Sequence, residues 1–271
     1  MRTYLVHALM LAVLCATAGA VEGAESPALV RARMLYNNGD FEGAIDAAAV
    51  ARRDASYADA ASLVIARARL ERYRQTSTAS ELAEAREALQ AVRSASLTPR
   101  DQADLLIGLG QALYLGEVFG PAAELFDTAL EKAMLLGPRD RTLLLDWWAT
   151  ALDRDAQLRG YDRRAPVYQR IAERMERELH EDPSNGVANY WQVVAARGMG
   201  DLDRAWSAAI AAWVRSTLNP AATTQLRGDL DRVMEQALIP ERARSSGGGR
   251  DAPEAVEALR AEWALVKQNW K

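Results

Sequence analysis

Residues 103–136 alternate large and small side chains on a spacing suited to two packed helices. Leu106, Leu109 and Leu113 recur at steps of three and four, the period of one helix face, with Gly110 beside them. After a break at Gly116 the pattern resumes with Phe119, Ala122, Phe126 and Ala129. Small residues at Gly110, Ala122 and Ala129 let antiparallel helices approach, while the large ones fill the space between them and toward a neighbour. Gly116 falls where the chain is expected to turn, because glycine is a common helix stop.

The arrangement recurs along the chain. A copy begins near Glu25, with Ala32, Leu35, Gly39, Phe41, Ala44 and Ala51 at the equivalent places. Ala66 lies 34 residues after Ala32 and opens another copy, whose second helix (Ser80 to Val92) is delayed by an expected loop, Gln75-Thr76-Ser77-Thr78. Leu145, Trp148, Ala149 and Leu152 open a fourth copy. Its partner helix, near Pro166 to Leu179, follows an insertion containing Gly160. Gly200, Leu202, Ala205 and Ala212 mark the last good copy, where Val193 is larger than the pattern prefers.

Large residues at positions 4, 7, 11, 17 and 24 and small ones at 8, 20 and 27 of a 34-residue unit are the tetratricopeptide pattern, and the unit starting at Ala103 agrees at all eight. The sequence thus resembles the tetratricopeptide repeat superfamily over residues 25–218. The resemblance implies an all-α chain, a right-handed α-solenoid of about five helical hairpins. Beyond it, residues 219–271 carry a helical apolar pattern from Ala222 to Leu238, a Ser/Gly break near 245–250, and a last helical stretch from Ala255 to Trp270. These segments are expected to cap the stack, since a repeat array needs ends with one polar face.

The N-terminus reads as a secretory signal. Arg2 precedes an apolar run from Tyr4 to Ala16, and Ala18-x-Ala20 supplies small residues for cleavage after Ala20. Two other outcomes stand beside it: a lipid anchor at Cys15, or an uncleaved helix over residues 4–21 rising about 27 Å. Each implies export, to the periplasm or beyond, and the last two imply membrane attachment through this segment alone. Cleavage would leave 32 basic against 37 acidic residues, a net charge of −5, with no cysteine. An acidic balance without a basic cluster argues against a nucleic-acid partner, and stability has to come from packing without disulfides.

Chemistry finds few residues to work with. His180 is the only histidine after the signal, so a His-Glu-x-x-His zinc site lacks its second ligand, while a Ser-His-Asp triad would require His180 as its base and no Gly-x-Ser-x-Gly elbow is present. Gly247-Gly248-Gly249-Arg250 lacks the Lys-Ser or Lys-Thr of a phosphate loop. No catalytic residue, metal or cofactor is assigned. All seven tryptophans, from Trp147 to Trp270, lie in the second half, where they fill a core or line a binding surface.

In the tetratricopeptide superfamily the first helices line a concave face. The resemblance places Arg33, Tyr36, Asn37, Arg67, Gln111, Tyr114, Tyr190 and Arg197 on it, with Asp146, Thr150 and Asp153 between them. Arg33, Asn37 and Arg67 loosely resemble the residues with which some members hold a peptide's terminal carboxylate, although the full Lys and Asn arrangement is missing. The expectation is an exported scaffold for a protein or peptide. The alternative is an accessory component of a transport or envelope assembly that binds a small solute.

Overall fold

The hairpin turns show how these residues become helices. Gly39 and Gly200 take left-handed backbone at φ 81° and 79°, a conformation open to glycine without a Cβ clash. After each, an aspartate caps the next helix: Asp40 accepts from the Gly43 N–H at 2.9 Å and Asp201 from the Arg204 N–H at 2.9 Å. In each turn a backbone N–H closes on a carbonyl five residues back, Asp40 on Leu35 and Asp201 on Ala196, both at 3.0 Å. The turn after Leu113 has the same geometry, with Val118 closing on Leu113 at 2.9 Å. There the helix stops at Gly116 as expected, while the left-handed residue is the next one, Glu117 at φ 61°, and Val118 offers no cap. The Arg86 guanidinium lies against Gly116 and donates to the Ala112 carbonyl at 3.2 Å.

The computed structural model describes residues 26–246 and 253–271. The expected signal, Cys15 and the glycines of the Ser/Gly break therefore lie outside the described residues. Ten helices form five adjacent pairs: α1 (Pro27–Asn37) with α2 (Phe41–Ala51), α3 (Ala58–Thr76) with α4 (Ala79–Ala91), α5 (Pro99–Leu115) with α6 (Phe119–Leu130), α7 (Pro138–Gln157) with α8 (Ala165–Glu181), and α9 (Gly186–Gly198) with α10 (Leu202–Arg215). Then follow α11 (Pro220–Val233), α12 (Ile239–Ser246) and α13 (Pro253–Asn269). No strand occurs among the described residues. Each of the first ten helices packs mainly against the next one or two, as α1 does on α2 and α3, and α9 on α10 and α11.

Two boundaries differ from the sequence reading. The expected loop Gln75–Thr78 is shorter, because its first two residues are helix. α3 continues through Thr76, whose hydroxyl donates to the Arg72 carbonyl at 2.9 Å, and stops when Ser77 turns left-handed with its N–H on the Tyr73 carbonyl at 2.7 Å. The tail helix expected to end at Leu238 continues to Ser246 through a π turn, Met234–Leu238. Pro240 accounts for it: proline has no N–H for the carbonyl four residues back and its ring crowds that carbonyl, so the helix widens just before it.

The interior is a series of four apolar clusters. α3 shares itself between the first two, giving Ala61, Val64 and Ile65 to one and Leu63, Ala66 and Leu70 to the next. α5 and α9 make the later connections. Phe126 is fully buried against Gly110, and the Tyr168 ring lies on Gly198. A charge network joins α6, α7 and α8: Arg141 forks onto Glu178 at 2.6 and 2.8 Å, Arg174 bridges Glu178 and Asp127, and Arg170 reaches Asp127 and Glu124.

The last cluster is fastened by indoles. Trp263 of α13 is wholly buried, with the rings of Trp213 and Trp206 at 5.2 and 6.5 Å. Its burial contributes on the order of 5 kcal/mol of gross transfer energy. Each indole N–H crosses between helices, Trp263 to Asp231 at 2.7 Å, Trp206 to Glu262 at 3.0 Å and Trp213 to the Trp270 carbonyl at 3.0 Å.

Candidate binding face

Side chains of α1, α3 and α5 meet around two aspartates. Arg33 reaches past the intervening hairpin to Asp101 in the first turn of α5, with both bonds from one guanidinium nitrogen at 2.8 and 3.0 Å. Asp101 also accepts from the Thr98 hydroxyl at 2.8 Å. Arg67 pairs with Asp104 at 3.0 Å and lies over the Tyr36 ring, 4.8 Å from its centre. Burial would lower the Arg67 pKa, but Tyr36, Asp104, Asp140 and Glu71 together raise it above the usual value. Burial also raises Tyr36, with Arg67 pulling the other way. Arg33 and Arg67 are thus engaged by the chain's own carboxylates. Asn37 is exposed at the end of α1.

Gln111 is buried in α5 rather than presented to solvent. Its Oε1, Asp104 Oδ1 and Arg67 Nε are buried and make no hydrogen bond among the described residues. Tyr114 is half-buried, edge-on to Phe119 at 5.3 Å and to Trp147 at 4.9 Å. Arg74, near the end of α3, lies over the Trp147 ring at 5.2 Å. Adjacent Trp148 turns the other way and is buried, with Arg170 and Arg174 over its ring.

Further along, α7 carries two aspartates that meet donors from α9 and α8. Asp146 accepts from Trp191 Nε1 at 2.8 Å, and Asp153 accepts from the Tyr168 hydroxyl at 2.8 Å and from Gln157 at 2.7 Å. Burial raises both carboxyls above the usual range, against the pull of those donors. Tyr190 packs edge-on to Trp191 at 5.6 Å. Burial raises its pKa, reinforced by Asp229, Asp153 and Asp146. Arg197 is committed to the tail, forking onto Glu241 at 2.6 and 2.8 Å, and this pairing holds its pKa up against burial. Thr150 is half-buried on α7.

The structure thus gathers Arg33, Tyr36 and Arg67 at one end, Tyr114 in the middle, and Tyr190 with Asp146 and Asp153 at the other. It removes Gln111 inward and ties Arg197 to α12. Sequence reasoning missed the partners Asp101, Asp104 and Glu241. Asp101 carried a local signal, the Thr98-Pro99-x-Asp101 helix start, but not the identity of the arginine that meets it. Five tryptophans (Trp148, Trp191, Trp206, Trp213 and Trp263) are buried, which leaves Trp147 half-buried and Trp270 exposed.

Chemically the face offers aromatic area and hydrogen-bond acceptors. Among the described residues no group of three or more His, Cys, Asp or Glu is placed to hold a metal ion, and no helix is long and apolar enough to cross a membrane. His180 sits in the last turn of α8, where a cation complements the helix dipole. No protein-family model matches the chain, and no curated protein matches it in sequence.

Proposed function

We propose that this chain is an exported, tetratricopeptide-like α-solenoid that serves as a scaffold, binding an extended peptide or a protein segment along its first helices. One observation carries the reading: the left-handed turn closing five residues back recurs in the hairpins of Gly39, Glu117 and Gly200, joined to packing between near neighbours in sequence. The face formed by α1, α3, α5, α7 and α9 supplies half-buried Tyr36, Tyr114, Trp147 and Tyr190, side chains that give contact area at low entropic cost. Because Arg33, Arg67 and Arg197 already hold carboxylates of the chain itself, the partner is not held by a carboxylate clamp of arginines. Asp146 and Asp153, met by neutral donors, favour a partner with amide or cationic groups. Export rests on the pattern of residues 1–20 and places the scaffold in the periplasm or outside the cell.

Site-specific photocrosslinking tests the reading without disturbing these ion pairs. A benzophenone side chain at Asn37 or Thr150 should give discrete crosslinked species in envelope fractions. The same group at Glu87, exposed on α4, should give none. Equal patterns from both faces would reject the assignment, and an intact N-terminus on the exported chain would reject cleavage after Ala20.

A further inference from the structure

A groove of about 820 Å³ separates α6 from α8, with α7 beneath it. Leu113, Leu125, Leu152 and Val167 make its apolar floor. Two helix N-termini open onto it, normally good places for an anion. Here each has a proline in its first turn, Pro121 in α6 and Pro166 in α8, and so has lost one donor. The Asp155 carboxylate also stands at the start of α6, where a Cβ on Gly120 would lie 3.0 Å from it. The charged groups lining the groove are paired: Arg159 with Asp155 at 2.7 Å, and Arg170 with Glu124 and Asp127.

We infer that this groove binds a neutral, apolar small molecule. Its volume falls within the roughly 300–1,000 Å³ of small-molecule sites. A carboxylate or phosphate would meet Asp155 and two depleted helix ends, with both lining arginines already engaged. An amine would have to displace Arg159 or Arg170 from its carboxylate. An uncharged apolar ligand faces neither cost and gains by covering the leucine floor. The site is built by α6, α7 and α8 with Leu113 of α5, and its occupancy does not depend on peptide binding along the first helices.

Two dyes with one framework separate the possibilities. N-phenylnaphthylamine is uncharged, whereas anilinonaphthalene sulfonate carries an anion, and both fluoresce in apolar surroundings. Titration of the purified protein should show saturable binding of one neutral dye per chain, about tenfold or more tighter than the sulfonate. Thr128→Trp, at an exposed position on α6, fills the groove from one wall. Pro121→Glu puts a carboxylate over the floor at a helix position that tolerates it. Each should weaken the neutral dye by about tenfold or more while circular dichroism stays unchanged. Equal affinity for the sulfonate, or undiminished binding in both variants, overturns the inference. Absence of saturable binding by the neutral dye also overturns it, and leaves the groove to a partner helix.

Discussion

Gly110 on α5 and Phe126 on α6 face each other so closely that a Cβ on the glycine would lie 2.5 Å from the ring. Phe126 is fully buried and has no open side to move into. Gly110→Ala should therefore destabilise the protein, although alanine favours helix by about 1 kcal/mol, because overpacking costs about 1–3 kcal/mol. Gly228→Ala in α11 meets no atom within 4 Å and should stabilise by about 0.5–1 kcal/mol. Thermal melts of the pair check the argument, and a Gly110→Ala protein melting at or above the parent would refute it.

The turn at Glu117 keeps its shape without the residues that favour it. Glu117→Gly relieves a left-handed conformation that costs a non-glycine residue about 1 kcal/mol. Val118→Asp restores the cap seen at Asp40 and Asp201, worth about 1 kcal/mol. Both substitutions should raise the midpoint of urea unfolding, and the double variant should approach their sum. A fall in the midpoint for either would show that this turn is held by something else.

Asp101 joins α1 to α5 through Arg33. Asp101→Ala removes the acceptor of a guanidinium that is about a third exposed and can still reach water, so the loss is limited to about 1–3 kcal/mol. Arg33→Glu should cost more, because two carboxylates then face each other. Hydrogen exchange in α1 is the sensitive measure, and α1 should lose protection before α9 does. Uniform loss along the chain would contradict a local role.

Asp146 has a folded pKa raised by burial, so the folded state binds its proton more readily than the unfolded chain does. Its ionisation opposes folding above the folded pKa, and the penalty fades as pH falls through that value. Asp146→Asn keeps an acceptor for Trp191 Nε1 and removes the charge. The variant should be the more stable protein at pH 7 and lose that advantage as the parent's carboxyl takes up its proton. Denaturation midpoints measured from neutral to acid pH check this, and a gap that widens toward acid would reverse the assignment.

Local patterns announced most of the helices. Leu106, Leu109 and Leu113 with Gly110 specify a face and its small contact, and Asn38-Gly39-Asp40 specifies a turn and its cap, because both are settled within a few residues of chain. The stop of α3 was less legible, since Ser77 turns left-handed without being glycine and the preceding threonine bonds back into the helix. The candidate binding face was least legible. Its positions could be counted, but whether Arg33, Arg67 or Arg197 was already spoken for depended on Asp101, Asp104 and Glu241, carboxylates 37 to 68 residues away.

The four apolar clusters meet only where α3, α5 and α9 lend a face to each side. A chain arranged in this way has no one interior whose loss takes everything with it. Denaturant should melt it in stages, with a shallower slope than a single-cluster protein of equal length would show. Its ends should open and close many times before the middle does. Cooperativity would then be a local property, with the lifetime of each hairpin set by its neighbours.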